Sequence, residues 1–237
     1  TLAYPILKKY NLPATIFLTT DFIGTGKKFW FLRLGFLLHQ GKLSRDDLVD
    51  AYLCVNKDAG RAEIERAATD HDWYIGLLKS LDDRSILEIL DELERRTGLT
   101  EEAWPKRQWT LSWEDISDMD PSIIEYGSHG QSHRIMLSPS EEEIRGELLE
   151  SKAVIESRIG RPVASFAYPN GDYNDLVKRL VQEAGYQCAL STHGQKTAEG
   201  NVDLFALRRV GFHEGATEGP SGGFSEPIFA CILAGIL

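Results

Sequence analysis

Two of the six histidines in this 237-residue chain, His129 and His133, stand four apart in the run Ser128-His129-Gly130-Gln131-Ser132-His133. Neutral imidazoles are good ligands for Zn²⁺ and similar borderline metals, so the spacing points first to a shared metal ion. The zincin pattern places a Glu directly after the first His, on a helix. Here Gly130 holds that position, and the preceding Tyr-Gly-Ser disfavours a helix. The motif is therefore a loop HxxxH. Spacing alone also fits two surface histidines in a loop, and it supplies two ligands where a catalytic zinc takes three and a water.

Two other features carry chemistry. In Phe166-Ala167-Tyr168-Pro169-Asn170-Gly171, Pro and Gly require a tight turn, in which a backbone N–H can donate to an oxyanion. The bland reading is an ordinary strand-ending turn. In Leu207-Arg208-Arg209-Val210 two cations interrupt an apolar strand. Alternation directs one of them inward, where an Arg needs a carboxylate partner. An edge strand with one solvated Arg and one structural ion pair explains the same residues.

These residues need elements to hold them. Residues 2–10 read as a helix ended by Asn11 and Pro13, and residues 14–19 as a short buried strand. The stretch from about 25 to 107 changes texture. It holds an apolar helix at Trp30–His39, then the charged, amphipathic residues 43–56 and 62–97, with Ile86, Leu87, Leu90 and Leu93 as a sample face. We read it as a helical insertion within one domain spanning 1–237. Strand and helix then alternate. Residues 123–128 form a strand, and Ser140-x-x-Glu143 is a capping box opening a helix with stripe Ile144, Leu148, Ile155 and Ile159, closed by Gly160. Strands follow at 163–168, 188–192 and 205–212, with a helix at 174–184 and a last helix capped by Ser225. Alternation of this kind implies a parallel sheet, open or closed into a barrel, and in a barrel the histidine loop lies on the catalytic face.

Composition narrows the function classes. Net charge is −10, from 26 basic and 36 acidic residues, which argues against a nucleic-acid surface. Much of the acid falls between residues 141 and 156, read as a solvated helix face. The 3 cysteines, Cys54, Cys188 and Cys231, are odd in number and far apart, which disfavours a disulfide framework or a zinc knuckle. No apolar run is long enough for a membrane-spanning segment.

Taken in order, YPILKKYNLPATIFLTTDFIG, LSWEDI, YGSHGQSHRIML, the capping-box helix, FAYPNGDYN and AGYQCALST resemble the polysaccharide deacetylase family, carbohydrate esterase family four. The resemblance implies an α/β fold, a distorted (β/α)7 barrel, and hydrolysis of N-acetyl groups on amino sugars, or of O-acetyl groups in some members. It implies a divalent metal, Zn²⁺ first with Co²⁺ and Ni²⁺ as alternatives, held by one Asp and two His. Those histidines map to His129 and His133. A second Asp serves as base, the backbone N–H at Asn170 helps hold the oxyanion, and Tyr168 and Pro169 line the substrate site. The partner implied is an acetylated polysaccharide or oligosaccharide.

Three departures accompany the resemblance. The family's first motif, a Thr-Phe-Asp-Asp-Gly-like strand end with both Asp residues, belongs before LAYPILKKY. The sequence is therefore expected to lack the first strand, the third metal ligand and the base, and to be inactive alone. Gly130 stands where the family usually has Ser or Thr. Ala167 and Asn170 stand where many members have Arg and Tyr; members with Ala-Tyr-Pro need another cation near the base, for which Arg209 is the candidate. A second reading is a deacetylase-like module that binds glycan without hydrolysing it. A third is an unrelated metallohydrolase drawing on Asp172 or Asp203. His213 is the one histidine in the region of the family's late Leu-x-His motif.

Overall fold

The computed structural model describes residues 3–67, 71–99, 103, 110–193, 202–209, 211, 217 and 223–233. They belong to two compact units, Thr1–Asp21 with Trp113–Leu237, and Phe22–Ser112. In chain order the elements begin with α1 (Ala3–Tyr10) and β1 (Ala14–Leu18). The helices α2 (Trp30–His39), α3 (Arg45–Val55), α4 (Arg61–Ala67), α5 (His71–Lys79) and α6 (Asp83–Thr97) follow. Then come α7 (Trp113–Asp118), β2 (Ile124–Ser128), α8 (Glu141–Ile159), β3 (Ser165–Ala167), α9 (Asp175–Glu183), β4 (Cys188–Ser191), β5 (Leu207–Arg208) and α10 (Glu226–Leu233).

In the first unit the strands form one sheet, all parallel, in the order β1-β2-β3-β4-β5. Spatial order equal to chain order is the mark of a singly wound sheet. Right-handed crossovers that never reverse direction put every connecting helix on one face, as in a β/α barrel; a doubly wound sheet reverses and covers both faces. The fold is α/β, and this order is that of a barrel-type sheet and not of a doubly wound one; among the described residues β1 and β5 are its edges. Every strand also ends on the same side, so the loops after β1 to β5 share one rim.

Local signals explain the elements. Ser140 and Glu143 close a reciprocal capping box, with Glu143 N donating to Ser140 Oγ at 3.3 Å and Ser140 N to Glu143 Oε2 at 2.8 Å. Gly160 ends α8 in the left-handed conformation at φ 68°. The buried stripe of α8 is Ile144, Glu147, Leu148, Ser151 and Ile155, and this helix packs on β2. Its polar members correct the reading of 141–156 as a solvated face: Glu147 is 8% exposed.

In the second unit every described regular element is a helix. Its core gathers Leu34, Leu37, Val49, Leu78, Ile89 and Leu90, all nearly or fully buried. Each such side chain contributes about 1.5–3 kcal/mol of burial. The buried face of α6 is Ile86, Ile89, Leu90 and Leu93, whereas Leu87 is 45% exposed; the 3.6-residue period selects 89 rather than 87. Arg33 forks onto Asp91 at 2.7 Å and Glu94 at 2.9 Å, tying α2 to α6.

Candidate functional site

The histidine loop begins where the ladder between β1 and β2 runs off the sheet. His129 N donates to Leu18 O at 2.8 Å, Thr20 N to Gly130 O at 3.3 Å, and Asp21 N to Gln131 O at 2.9 Å. The chain then turns through two left-handed residues, Gly130 at φ 81° and His133 at φ 65°. A non-glycine residue in that region is uncommon and marks a conformation imposed by its surroundings. The turn brings the two imidazoles together, with ring centroids 4.8 Å apart and planes at 88°.

Tautomer and charge are set by neighbours. His129 Nδ1 lies 2.6 Å from the carbonyl oxygen of Ala167. A carbonyl only accepts, so Nδ1 carries the proton and Nε2 the lone pair, the arrangement found in metal-ligating histidines. Burial pushes the His129 pKa down, against the raising effect of the Ala167 hydrogen bond, and the Arg209 charge pushes it down further. Burial and then the His129 charge bring His133 to about 4. Both rings are therefore neutral at pH 7, as ligation requires.

The loop is gripped from α8. The Glu147 carboxylate accepts from Gln131 N at 2.6 Å, Ser132 N at 3.0 Å and Ser132 Oγ at 2.5 Å. One turn on, Ser151 Oγ lies 2.8 Å from Ser128 Oγ, which accepts from Gly130 N at 3.2 Å. Neither α8 residue stands out as a functional residue by type. The signal that finds them is position: a Glu three residues after Ile144 and one before Leu148 lies on the buried stripe.

The turn after β3 is a single 3-10 turn, Pro169–Gly171, with Asn170 at φ 59°. Tyr168 is fully buried and its hydroxyl donates to Phe205 O at 2.9 Å, while Pro169 is buried beside it. Gly171, at φ 87°, has no room for a side chain: a Cβ there would lie 1.9 Å from Thr192 Oγ1 and 2.8 Å from Thr192 N. This close approach seats the turn against the end of β4.

Of the two strand cations, Arg208 is exposed and Arg209 partly buried. Arg209 N donates to Ser191 O at 2.8 Å, placing the residue at the same strand-end rim as the histidines. Its Nε is buried and has no hydrogen-bond partner among the described residues, and burial pushes its guanidinium below the usual arginine range. Thr20 Oγ1, at the end of β1, is likewise buried and unpartnered among the described residues. Asp203 is engaged by Lys178 at 3.0 Å, and Asp172 accepts from Asn170 Nδ2 at 2.5 Å. Neither joins the histidines: among the described residues no group of three or more His, Cys, Asp or Glu can hold a metal ion. The donor pair fits a borderline divalent metal in charge and tautomer and is short of a carboxylate. His213 lies outside the described residues. A cleft of about 540 Å³ lined by Pro13, Glu125 and Arg161 opens at the opposite ends of β1 and β2.

Residues 1–189 match the sequence profile of the family described as Polysaccharide deacetylase. The chain belongs to the polysaccharide deacetylase family. Among curated relatives it is 33% identical over 66 residues to the peptidoglycan-N-acetylglucosamine deacetylase of Bacillus cereus, covering 28% of this chain and 30% of that protein. It is 23% identical over 116 residues to YxkH of Bacillus subtilis, covering 49% of this chain and 41% of the relative. The chain thus spans well under half the length of these relatives. Among solved structures, the deacetylase domain of BpsB from Bordetella bronchiseptica is 15% identical with a TM-score of 0.48, over 87% of this chain and 64% of that one. IcaB from Ammonifex degensii is 14% identical with a TM-score of 0.45, over 80% and 53%. Among the described residues of this deacetylase-family chain, no helix is long and apolar enough to cross a membrane.

Proposed function

We propose that this chain contributes the histidine side of a metal-dependent site that removes acetyl groups from an acetylated amino-sugar polysaccharide. The observation that carries the reading is the His129–His133 pair: two neutral imidazoles 4.8 Å apart, one with its tautomer held by Ala167 O. We assign His129 and His133 as ligands of a divalent cation, Zn²⁺ before Co²⁺ or Ni²⁺, because paired imidazoles suit borderline metals. When bound, such an ion polarises a carbonyl and makes water a nucleophile at neutral pH.

The chain's own residues do the rest in this reading. The unpartnered Arg209 Nε takes a carboxylate that lies outside the described residues; an Arg so placed orients an acidic base and keeps it ionised. The backbone N–H at Asn170 faces the developing oxyanion, and the Pro169–Gly171 turn holds it rigidly. Tyr168, buried beneath the turn, and Pro169, its first residue, back the substrate site. In this reading the third metal ligand and the base are carboxylates outside the described residues, and the histidine side without them is expected to release no acetate. Loss of a general base alone removes about 10²- to 10⁴-fold.

A Zn²⁺ titration followed by NMR of the histidine rings tests this assignment. Both ring sets are expected to shift together, and His129→Ala and His133→Ala each to abolish the response. Independent shifts of the two rings would sink the shared site.

A further inference from the structure

The histidine loop carries few apolar anchors of its own, and its conformation is demanding: two left-handed residues within five positions, with both rings turned to one side. Apart from the buried side chain of Met136, a loop of that kind depends on hydrogen bonds to its polar backbone groups. The structure shows where they go. Two successive amides, Gln131 N and Ser132 N, converge on one oxygen of Glu147, and the Ser132 hydroxyl takes the other. A buried carboxylate is retained only when several donors satisfy it, and here all three come from the loop. The fit is mutual. A Cβ built at Gly130 would lie 3.0 Å from Glu147 Oε2, so any side chain there would crowd the carboxylate. A second contact from the same helix, Ser151 to Ser128, fixes the strand end where the loop starts.

We propose that Glu147 is the positioning residue of the metal-binding loop: its carboxylate, projecting from the buried stripe of α8, sets the separation and orientation of His129 and His133. This rests on the assignment of those histidines as metal ligands. Glu147 acts through the loop, by way of the Gln131 and Ser132 amides and the Ser132 hydroxyl. Partners that orient ligands from outside the coordination sphere typically govern metal affinity by about 10–100-fold.

The test is the Zn²⁺ affinity of the metal-free protein, read from histidine-ring NMR titrations, with near-UV circular dichroism as the check on folding. Four variants are compared with the parent. Glu147→Ala is expected to weaken binding by about 10-fold or more with the fold retained. Glu147→Gln, which keeps the shape and one acceptor oxygen for the two amides, is expected to recover most of the loss. Glu150→Ala, an exposed acid on the same helix, is expected to bind as the parent does. If Glu147→Ala loses its fold, Glu147→Asp decides by the same criterion, since it keeps the charge but draws the carboxylate back by one methylene. Parent-like affinity in the deciding variant, while His129→Ala abolishes binding, overturns the role of Glu147 and leaves the metal site standing. Parent and His129→Ala titrating alike overturns the metal site itself.

Discussion

His129 Nδ1 and Ala167 O are 2.6 Å apart, so the last residue of β3 fixes the tautomer of the first histidine after β2. The contact crosses from one strand end to the next and involves a main-chain oxygen. It therefore needs no functional group on the side chain at position 167, and it explains how the Ala167 of this chain still takes part in the site.

Gly171→Ala is expected to destabilise the protein by on the order of 3 kcal/mol, from a left-handed backbone and a collision with Thr192 acting together. The glycine is at φ 87° and the new Cβ would lie 1.9 Å from Thr192 Oγ1. Urea unfolding measures the change; an unchanged midpoint and slope would mean the turn does not seat on Thr192.

The sequence made some of this legible and hid the rest for physical reasons. The histidine pair is visible because its spacing and the strand before it are both local. Arg209 is visible because a cation in an apolar strand is conspicuous. The strand expected at 205–212 shortens to Leu207–Arg208 among the described residues, and positions 210 and 212 to 216 lie outside them. Within residues 62–97 a separate helix, α6, starts at Asp83 because Asp82 caps it, its side chain accepting from Ser85 N. Glu147 was hidden because acids surround it in sequence, and only the helical period separates the one that turns inward. Trp113–Asp118 forms a helix that the LSWEDI motif alone does not announce.

Without metal, stability should fall on acidification in a defined window. Burial and the nearby His129 lower the His133 pKa from 6.5 to about 4, with Arg209 adding positive charge beside His129. Between those values the unfolded chain binds a proton that the folded chain excludes. The contribution is thus whole above 6.5 and lost as pH falls through about 4, amounting to on the order of 3 kcal/mol. Urea unfolding in chelator at pH 7, 5.5 and 4.5 should show a steeper loss in the parent than in His133→Asn, whose Asn tolerates the φ of 65°. Parallel losses would contradict the burial of His133.

Arg209→Met should leave the stability of the chain alone unchanged or raise it by about 1 kcal/mol, because the buried Nε has no hydrogen-bond partner among the described residues and Met fills similar volume. Thermal unfolding reads the effect. A loss of more than about 2 kcal/mol would show that the guanidinium already has a carboxylate partner.

The most direct measurement is acetate release from an acetylated amino-sugar polymer, with metal analysis, on three proteins. They are the chain alone, the chain joined to a preceding strand that carries an Asp pair, and that joined protein with His129→Ala. The account predicts no measurable acetate from the first, metal-dependent release from the second, and loss of both metal and release in the third. Robust metal-dependent turnover by the chain alone, or no turnover by a folded and metal-loaded joined protein, would contradict it.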